Sequence, residues 1–364
     1  MINKIEVDLN AISGNLGLFK KIIYPETKII GMVKANAYGH GLVEAARVIW
    51  TSGADILAVE RIEEAVELRV AKIKAPILII GYVEPADYHK IIDFDLIMSV
   101  GDYESAYQLS REARKQNLWA RFDINVDTGM NRWGIPVYEF SQIYQKMLDL
   151  EHAKVVGIHS HFVDALNAKL AKEQIRLMQN VLFALQQGKF SIPMVHMATT
   201  DAILSNPESQ FDAIRIGFGL FGYSDFKQDV GLKPALEFKT KIAQIRRVAK
   251  GESIGYGRAY IAKQPKKIAV LPIGYADGYP RALSNKAKVL VSGKKAAITG
   301  NICMGAIMID VTGIDCSLGD EVVLIGKSGD DKVYADDLAK LADTTAREIL
   351  ARLPARLPRE YHFK

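Results

Sequence analysis

Ile29-Ile30-Gly31-Met32-Val33-Lys34-Ala35-Asn36-Ala37-Tyr38-Gly39-His40-Gly41 is the stretch on which the reading of the 364-residue chain turns. Its first five residues have the length and β-branched content of a buried strand. After Gly41 an apolar helical face begins with Leu42, Val43, Ala46, Val48 and Ile49, and Glu44 stands in the first turn. The pattern predicts strand, turn and helix, with Lys34 at the C-terminal end of the strand. Apolar surroundings disfavour a charged amine, so a lysine placed there is suited to forming an imine with a carbonyl compound. On position alone, a lysine that snorkels from a strand end into solvent is the simpler reading.

The same rhythm then repeats. Candidate strands run over 28–34, 54–59, 76–81, 95–100, 119–126, 154–160, 192–197 and 212–217, separated by helical stretches such as 60–72, 102–116 and 168–188. Eight strands alternating with helices have the size and spacing of a (β/α)8 TIM barrel, with a doubly wound open sheet as the competing α/β architecture. A short strand at 5–9 and a helix over 11–24 precede the series. After residue 222 the rhythm stops. A polar, turn-rich linker leads to β-type runs at 236–248, 268–273, 287–291, 296–299, 306–311 and 321–325, then a helix near 335–352. The expected organisation is an α/β barrel over 1–230, including the short N-terminal strand, and a mainly-β domain over 231–364.

A hydrophobic content of 49% supplies a large core, and the 24% of charged residues is ordinary. The net charge of +5 is spread along the chain without a basic block interleaved with aromatics, which argues against a nucleic-acid partner. No apolar run approaches the ~18 residues of a membrane span. Lys4, Glu6 and Asp8 stand where a secretory leader needs its apolar segment, and the two cysteines, Cys303 and Cys316, form no CxxC. A cytoplasmic protein is expected.

Barrel strands open their C-terminal ends on one mouth. There the sequence sets Lys34, the Asp127-Thr128-Gly129-Met130-Asn131-Arg132 segment, His159-Ser160-His161, His196 with Thr199-Thr200, and Arg215 followed by Gly217-Phe218-Gly219-Leu220-Phe221-Gly222. The last run formally matches GxGxxG, but after an eighth strand it fits a phosphate-binding turn better than a dinucleotide fingerprint. His159-x-His161 would place two imidazoles on one strand face, as a metal-dependent hydrolase needs, yet no carboxylate is evident at the rim. Arg215, in an apolar strand, requires a partner because guanidinium does not give up its proton. In the second domain Tyr256 lies between Gly255 and Gly257, and Tyr275 and Met304 lie in turn-like text.

These pieces, in this order and over nearly the whole chain, resemble the alanine racemase family. The resemblance implies a pyridoxal-phosphate barrel followed by a β domain, working as a head-to-tail homodimer on a small amino-acid substrate. It implies that Lys34 carries the cofactor, that Tyr38, Thr200, Gly217 and Phe218 surround its phosphate, and that Arg215 faces its ring nitrogen. Arg132 is implied near the substrate carboxylate, with Met304 and Tyr275 shaping the entrance, and His161 bridging Arg215 to a tyrosine. That tyrosine, Tyr256 of the partner subunit, is the second base opposite Lys34, and no metal is expected. The activity implied is interconversion of L- and D-alanine, supplying D-alanine for cell-wall peptidoglycan.

Several positions depart from the family pattern. Asn125 stands where many members have a carbamylated lysine, so no carbamylation is expected and the Asn125 amide is expected to orient Arg132. Thr199-Thr200 replaces Asn-Ser, Gly305 replaces an aspartate, and Ala355 falls where a pocket-narrowing tyrosine is expected. The last change keeps a serine or broad-specificity racemase as the alternative. A non-catalytic cofactor-binding barrel and a fold-related decarboxylase are the further readings.

Overall fold

Short, β-branched runs pairing in parallel build the first of two units into which the chain divides; the computed structural model describes residues 2–363. This unit takes in Ile12–Ala35 and Leu42–Lys233. Its strands are β1 (Lys28–Met32), β2 (Ile56–Val59), β3 (Ile77–Ile79), β4 (Ile97–Val100), β5 (Ala120–Asp127), β6 (Ala153–His159), β7 (Met194–Thr199) and β8 (Ala213–Ile216). Each pairs in parallel with the next, and β8 returns to β1, with Arg215 opposite Ile30, so the sheet closes. Closure leaves no edge to protect, and strands such as β2 and β8 are buried at every position. The intervening helices include α1 (Leu42–Thr51), α2 (Ile62–Val70), α3 (Tyr103–Lys115) and α4 (Ala168–Gln187). All eight expected strands are present, and the protein is a parallel (β/α)8 barrel rather than an open sheet.

The second unit comprises the N-terminal segment to Ala11, Asn36–Gly41 and the chain from Pro234 onward. Its main sheet contains β9 (Leu236–Lys241), β10 (Gln244–Val248), β11 (Lys266–Leu271), β12 (Lys288–Val291), β13 (Lys294–Ile298), β14 (Ile307–Asp310), β15 (Glu321–Ser328) and β16 (Arg359–His362). The order is β10-β11-β14-β13-β12-β15-β9, then the strand Lys4–Asp8, then β16. Lys4–Asp8, expected with the barrel, pairs instead with β9 on one side and β16 on the other, which satisfies both of its backbone edges. The single helix expected over 335–352 is two, Ala335–Ala342 and Ala346–Ala351. Asp343 at φ 55° ends the first, and the Thr345 side chain accepts a hydrogen bond from Glu348 N to start the second. No helix among the described residues is long and apolar enough to cross a membrane.

The opening motif forms a short left-handed turn. Lys34–Tyr38 makes one helical turn in which Ala35, Asn36, Ala37 and Tyr38 all have φ between 51° and 54°, the left-handed region that costs on the order of 1 kcal/mol per L-residue. Local hydrogen bonds hold it: Gly41 N donates to Asn36 O at 3.0 Å, and buried His40 places Nδ1 3.0 Å from both Ala37 O and Tyr38 O. Arg359 Nε adds a bond of 2.9 Å to Gly39 O. Gly39 itself has φ 83°, and a Cβ there would lie 2.2 Å from Leu350 O.

Gly39→Ala therefore combines an unfavourable φ with a backbone clash and is expected to destabilise the fold by roughly 2–4 kcal/mol. Gly305→Ala, where a Cβ meets nothing within 4 Å, should change stability by less than about 0.5 kcal/mol. Urea unfolding of the two variants side by side checks the contrast.

Candidate active site

The C-terminal ends of the barrel strands bring together most of the residues expected to carry chemistry. Val33 N still bonds Ala58 O at 2.8 Å, and Lys34 leaves the sheet immediately after. Its amine meets the carboxylate of Glu60, at the end of β2, with Nζ–Oε2 2.6 Å. Glu60 was no part of the expected site.

Arg215 is 4% exposed and uses its guanidinium on five partners. Nη1 donates to His196 Nδ1 at 2.6 Å and His196 O at 3.2 Å. Nη2 donates to Ser160 O at 2.6 Å, Met197 O at 3.1 Å and His161 Nδ1 at 3.2 Å. Among the described residues the Nε–H donates to nothing, so it is the donor left for a ligand. Because His196 Nδ1 accepts, its proton is on Nε2, which donates to Asp123 Oδ2 at 2.8 Å; His159 Nδ1 donates to Asp123 Oδ1 at 2.5 Å. The buried cation is thus linked through a neutral imidazole to a buried carboxylate. Burial lowers Arg215 to about 10 and His196 to about 4. Burial also works against the charge of Asp123, but His196 and His159 together hold its carboxyl well below the usual range. Gly157 makes room for that carboxylate, since a Cβ there would lie 2.0 Å from Asp123 Oδ2.

His161 sits beyond the end of β6 rather than on the same face as His159. Gln174 Nε2 donates to His161 O at 3.0 Å and to Thr128 Oγ1 at 3.1 Å, fixing the loop. Burial, then the charges of Arg215, Arg132 and Lys34, hold His161 well below its ordinary pKa. The imidazole is therefore neutral, and three cations of the expected site lie within electrostatic reach of it. Arg132 is exposed on the loop after β5, whose Asp127 carboxylate accepts from Gly129 N at 2.9 Å and Asn131 N at 3.1 Å. The expected Asn125–Arg132 hydrogen bond does not form among the described residues. Asn125 Oδ1 faces Gly134 instead, 3.1 Å from where a Cβ would be.

Thr200 opens the short helix after β7, and Gly217-Phe218-Gly219 follows β8 into a 3-10 turn. Gly219 N donates to Thr200 Oγ1 at 3.2 Å, so the expected phosphate residues Thr200, Gly217 and Phe218 share one corner of the mouth. A side chain at 219 has no space, because a Cβ would meet Phe19 Cε2 at 2.6 Å and Thr200 Cγ2 at 2.8 Å.

Tyr38, Tyr256, Tyr275 and Met304 belong to the second unit. Tyr256 is 74% exposed between Gly255 at φ 75° and Gly257 at φ 69°, and its carbonyl accepts from Asn301 Nδ2 at 3.0 Å. Met304 O accepts from Ala276 N at 3.0 Å, and Cys303 O from Tyr275 N at 3.1 Å. The 301–304 segment, which carries Met304, therefore ties together the loops that present Tyr256 and Tyr275. Ala355 is exposed, and the neighbouring Arg356 donates from Nη2 to Ala276 O at 2.6 Å.

Asp123 and Glu60 are the residues that sequence reasoning missed. Asp123 lies in the apolar run Phe122-Asp123-Ile124 and is 1% exposed; a lone carboxylate in such a run is the same signal that singled out Arg215. Asp123, His159 and His196 have the composition of a metal triad. Yet the histidine nitrogens that face Asp123 are N–H donors, and Arg215 occupies the remaining nitrogen of His196, which suits a charge-relay chain better than a cation.

Comparison with known proteins gives the same outline. The profile "Alanine racemase, N-terminal domain" matches residues 7–225, and "Alanine racemase, C-terminal domain" matches 235–361. An alanine racemase of Halothermothrix orenii is 41% identical over 99% of this chain and 96% of its own length. The solved alanine racemase of Clostridium difficile 630 superposes with a TM-score of 0.95 at 33% identity, covering 100% of this chain and 96% of that one. That of Bartonella henselae, solved with covalently bound pyridoxal phosphate, superposes with a TM-score of 0.89 at 27% identity over 100% of both chains.

Two buried histidines make stability depend on acid. Burial lowers both His40 and His196 from 6.5 to about 4. Between those values the unfolded chain binds protons that the folded protein does not, so stability is full above the window and falls as the pH drops through it. The expected loss is roughly 2 kcal/mol per histidine at pH 5. Urea midpoints at pH 7 and pH 5 measure it, and equal midpoints would contradict the neutral, buried state.

Proposed function

The chain belongs to the alanine racemase family and carries that family's isomerase activity on alanine, and we propose that it works with pyridoxal phosphate held by Lys34, using Lys34 and Tyr256 as bases on opposite faces of the substrate. The donor set of the barrel mouth supports this reading. A primary amine is present for the cofactor's aldehyde, and the Arg215 Nε–H is left over for its ring nitrogen. The Thr200 hydroxyl and the adjoining turn stand ready for its phosphate, and the family resemblance adds Tyr38. When bound, the cofactor withdraws electrons from the substrate's α-carbon and acidifies its α-proton.

The chain's own residues do the rest. Racemisation requires a proton to leave one face of Cα and another to arrive on the opposite face, so two groups suffice. Arg215 presents a fixed cation, which keeps its proton and leaves the ring nitrogen unprotonated. That choice weakens electron withdrawal and favours rapid return of a proton to Cα. Arg132 supplies charge for the substrate carboxylate. The exposure of Tyr256 supports a homodimer in which Tyr256 of the partner subunit completes the site, with Tyr275 and Met304 at its entrance. Supply of D-alanine for peptidoglycan in the cytoplasm is the corresponding role, and exposed Ala355 leaves room for serine as a secondary substrate.

The observation that carries the proposal is Lys34 at the strand end, its charge acting on His161, the imidazole that Arg215 Nη2 contacts at 3.2 Å. Lys34→Ala is expected to abolish covalent cofactor attachment with the fold intact, read by visible absorbance and circular dichroism. Tyr256→Phe should lower racemisation by about 10²-fold or more while cofactor attachment persists. Undiminished racemisation in Tyr256→Phe, followed by α-proton exchange in deuterated water and chiral analysis, would overturn the two-base scheme.

A further inference from the structure

The Glu60 carboxylate has no part in the scheme above, yet it makes the only ion pair formed by Lys34, Arg132 or Arg215 among the described residues, with Oε2 2.6 Å from Lys34 Nζ. Its place is built into the barrel. Lys34 and Glu60 leave adjacent parallel strands just beyond the paired residues Met32 and Ala58. The backbone amides of Glu60 and Arg61 both donate to Glu64 Oε2, at 3.1 and 3.3 Å, which fixes the main chain where the carboxylate departs. Two residues past the end of β3 the chain has Gly81. A Cβ there would lie 2.3 Å from Glu60 O and 3.1 Å from Oε1, so the neighbouring strand end is left bare beside the carboxylate.

We propose that Glu60 is the positioning residue for Lys34, holding through its carboxylate the ammonium that Lys34 becomes each time it takes the substrate's α-proton. The inference rests on the reading of Lys34 as a base. In that step the N–H bond forms as the Cα–H bond breaks, and the electron pair stays with the substrate. The amine turns into a cation at a mouth that already contains Arg132 and Arg215, and a carboxylate at 2.6 Å offsets that charge and keeps the amine aimed. Tyr256 has no such link to Glu60 in the proposal, so Glu60 acts on one of the two proton transfers and not on the other.

That asymmetry supplies the test. L- and D-alanine are equally stable, so Glu60→Gln must lower kcat/KM equally in both directions, by about two- to fivefold for a partly exposed ion pair. The α-deuterium isotope effect, however, should rise for the enantiomer whose α-proton Lys34 removes and fall for the other, as the Lys34 step becomes limiting. Glu60→Asp should restore part of the rate. In full-length protein stripped of cofactor, an amine-reactive label followed by peptide mass mapping should mark Lys34 several-fold faster in Glu60→Gln than in the unaltered chain. Isotope effects that move together in both directions, or equal labelling, overturn the role of Glu60. Borohydride reduction of both holoproteins separates the two levels: cofactor found on Lys34 leaves the base assignment standing whatever Glu60 does, and cofactor found elsewhere overturns both.

Discussion

A cation buried in the barrel is the constraint around which this site is arranged. Guanidinium does not escape burial by losing its proton, so the surroundings of Arg215 must compensate its charge. They do so with three carbonyl oxygens and two imidazole nitrogens, and through His196 with the carboxylate of Asp123. Each link constrains the next. An acceptor role at His196 Nδ1 sets its tautomer, the Nε2 proton demands an acceptor, and Asp123 fits only because residue 157 is glycine. His159 takes the other carboxylate oxygen, stacked on His196 with ring centroids 5.0 Å apart. The bonds made by Nη1 and Nη2 fix the guanidinium plane, and with it the donor left over, Nε.

The mouth above this network is electropositive. Lys34, Arg132 and Arg215 all act on His161, whose proton the combination of burial and positive charge removes. An anionic ligand is therefore favoured on general electrostatic grounds, and the Thr200 hydroxyl, which accepts from Gly219 N, keeps its own proton to donate. In this setting the pairing of Lys34 with Glu60 places a negative charge among these cations.

Backbone strain is concentrated at the same point. Four consecutive residues after Lys34 adopt positive φ, and His40, Gly41 and Arg359 hold them there. A relaxed right-handed turn would lead the chain elsewhere. At Gly39 and Gly41 contact with the C-terminal segment leaves no volume for a side chain, from Leu350 O in one case and the Tyr361 hydroxyl in the other.

The sequence by itself determined the barrel, the succession of eight strands, the lysine motif and most of the mouth, because strand and helix periodicities and strand-end positions are local properties of the chain. It also singled out Arg215, since a charge within an apolar run announces itself. Only the tertiary structure decided what that charge pairs with. Asp123, His159 and His196 come from three different strands, and their alignment depends on the registers in which those strands close. For the same reason nothing local marks Glu60 within the 60–72 stretch, or shows that Lys4–Asp8 pairs in the second unit's sheet rather than going with the barrel, or that Asn125 and Arg132 form no hydrogen bond among the described residues. Pairing across strands is a long-range property, and no window of sequence contains both members of such a pair.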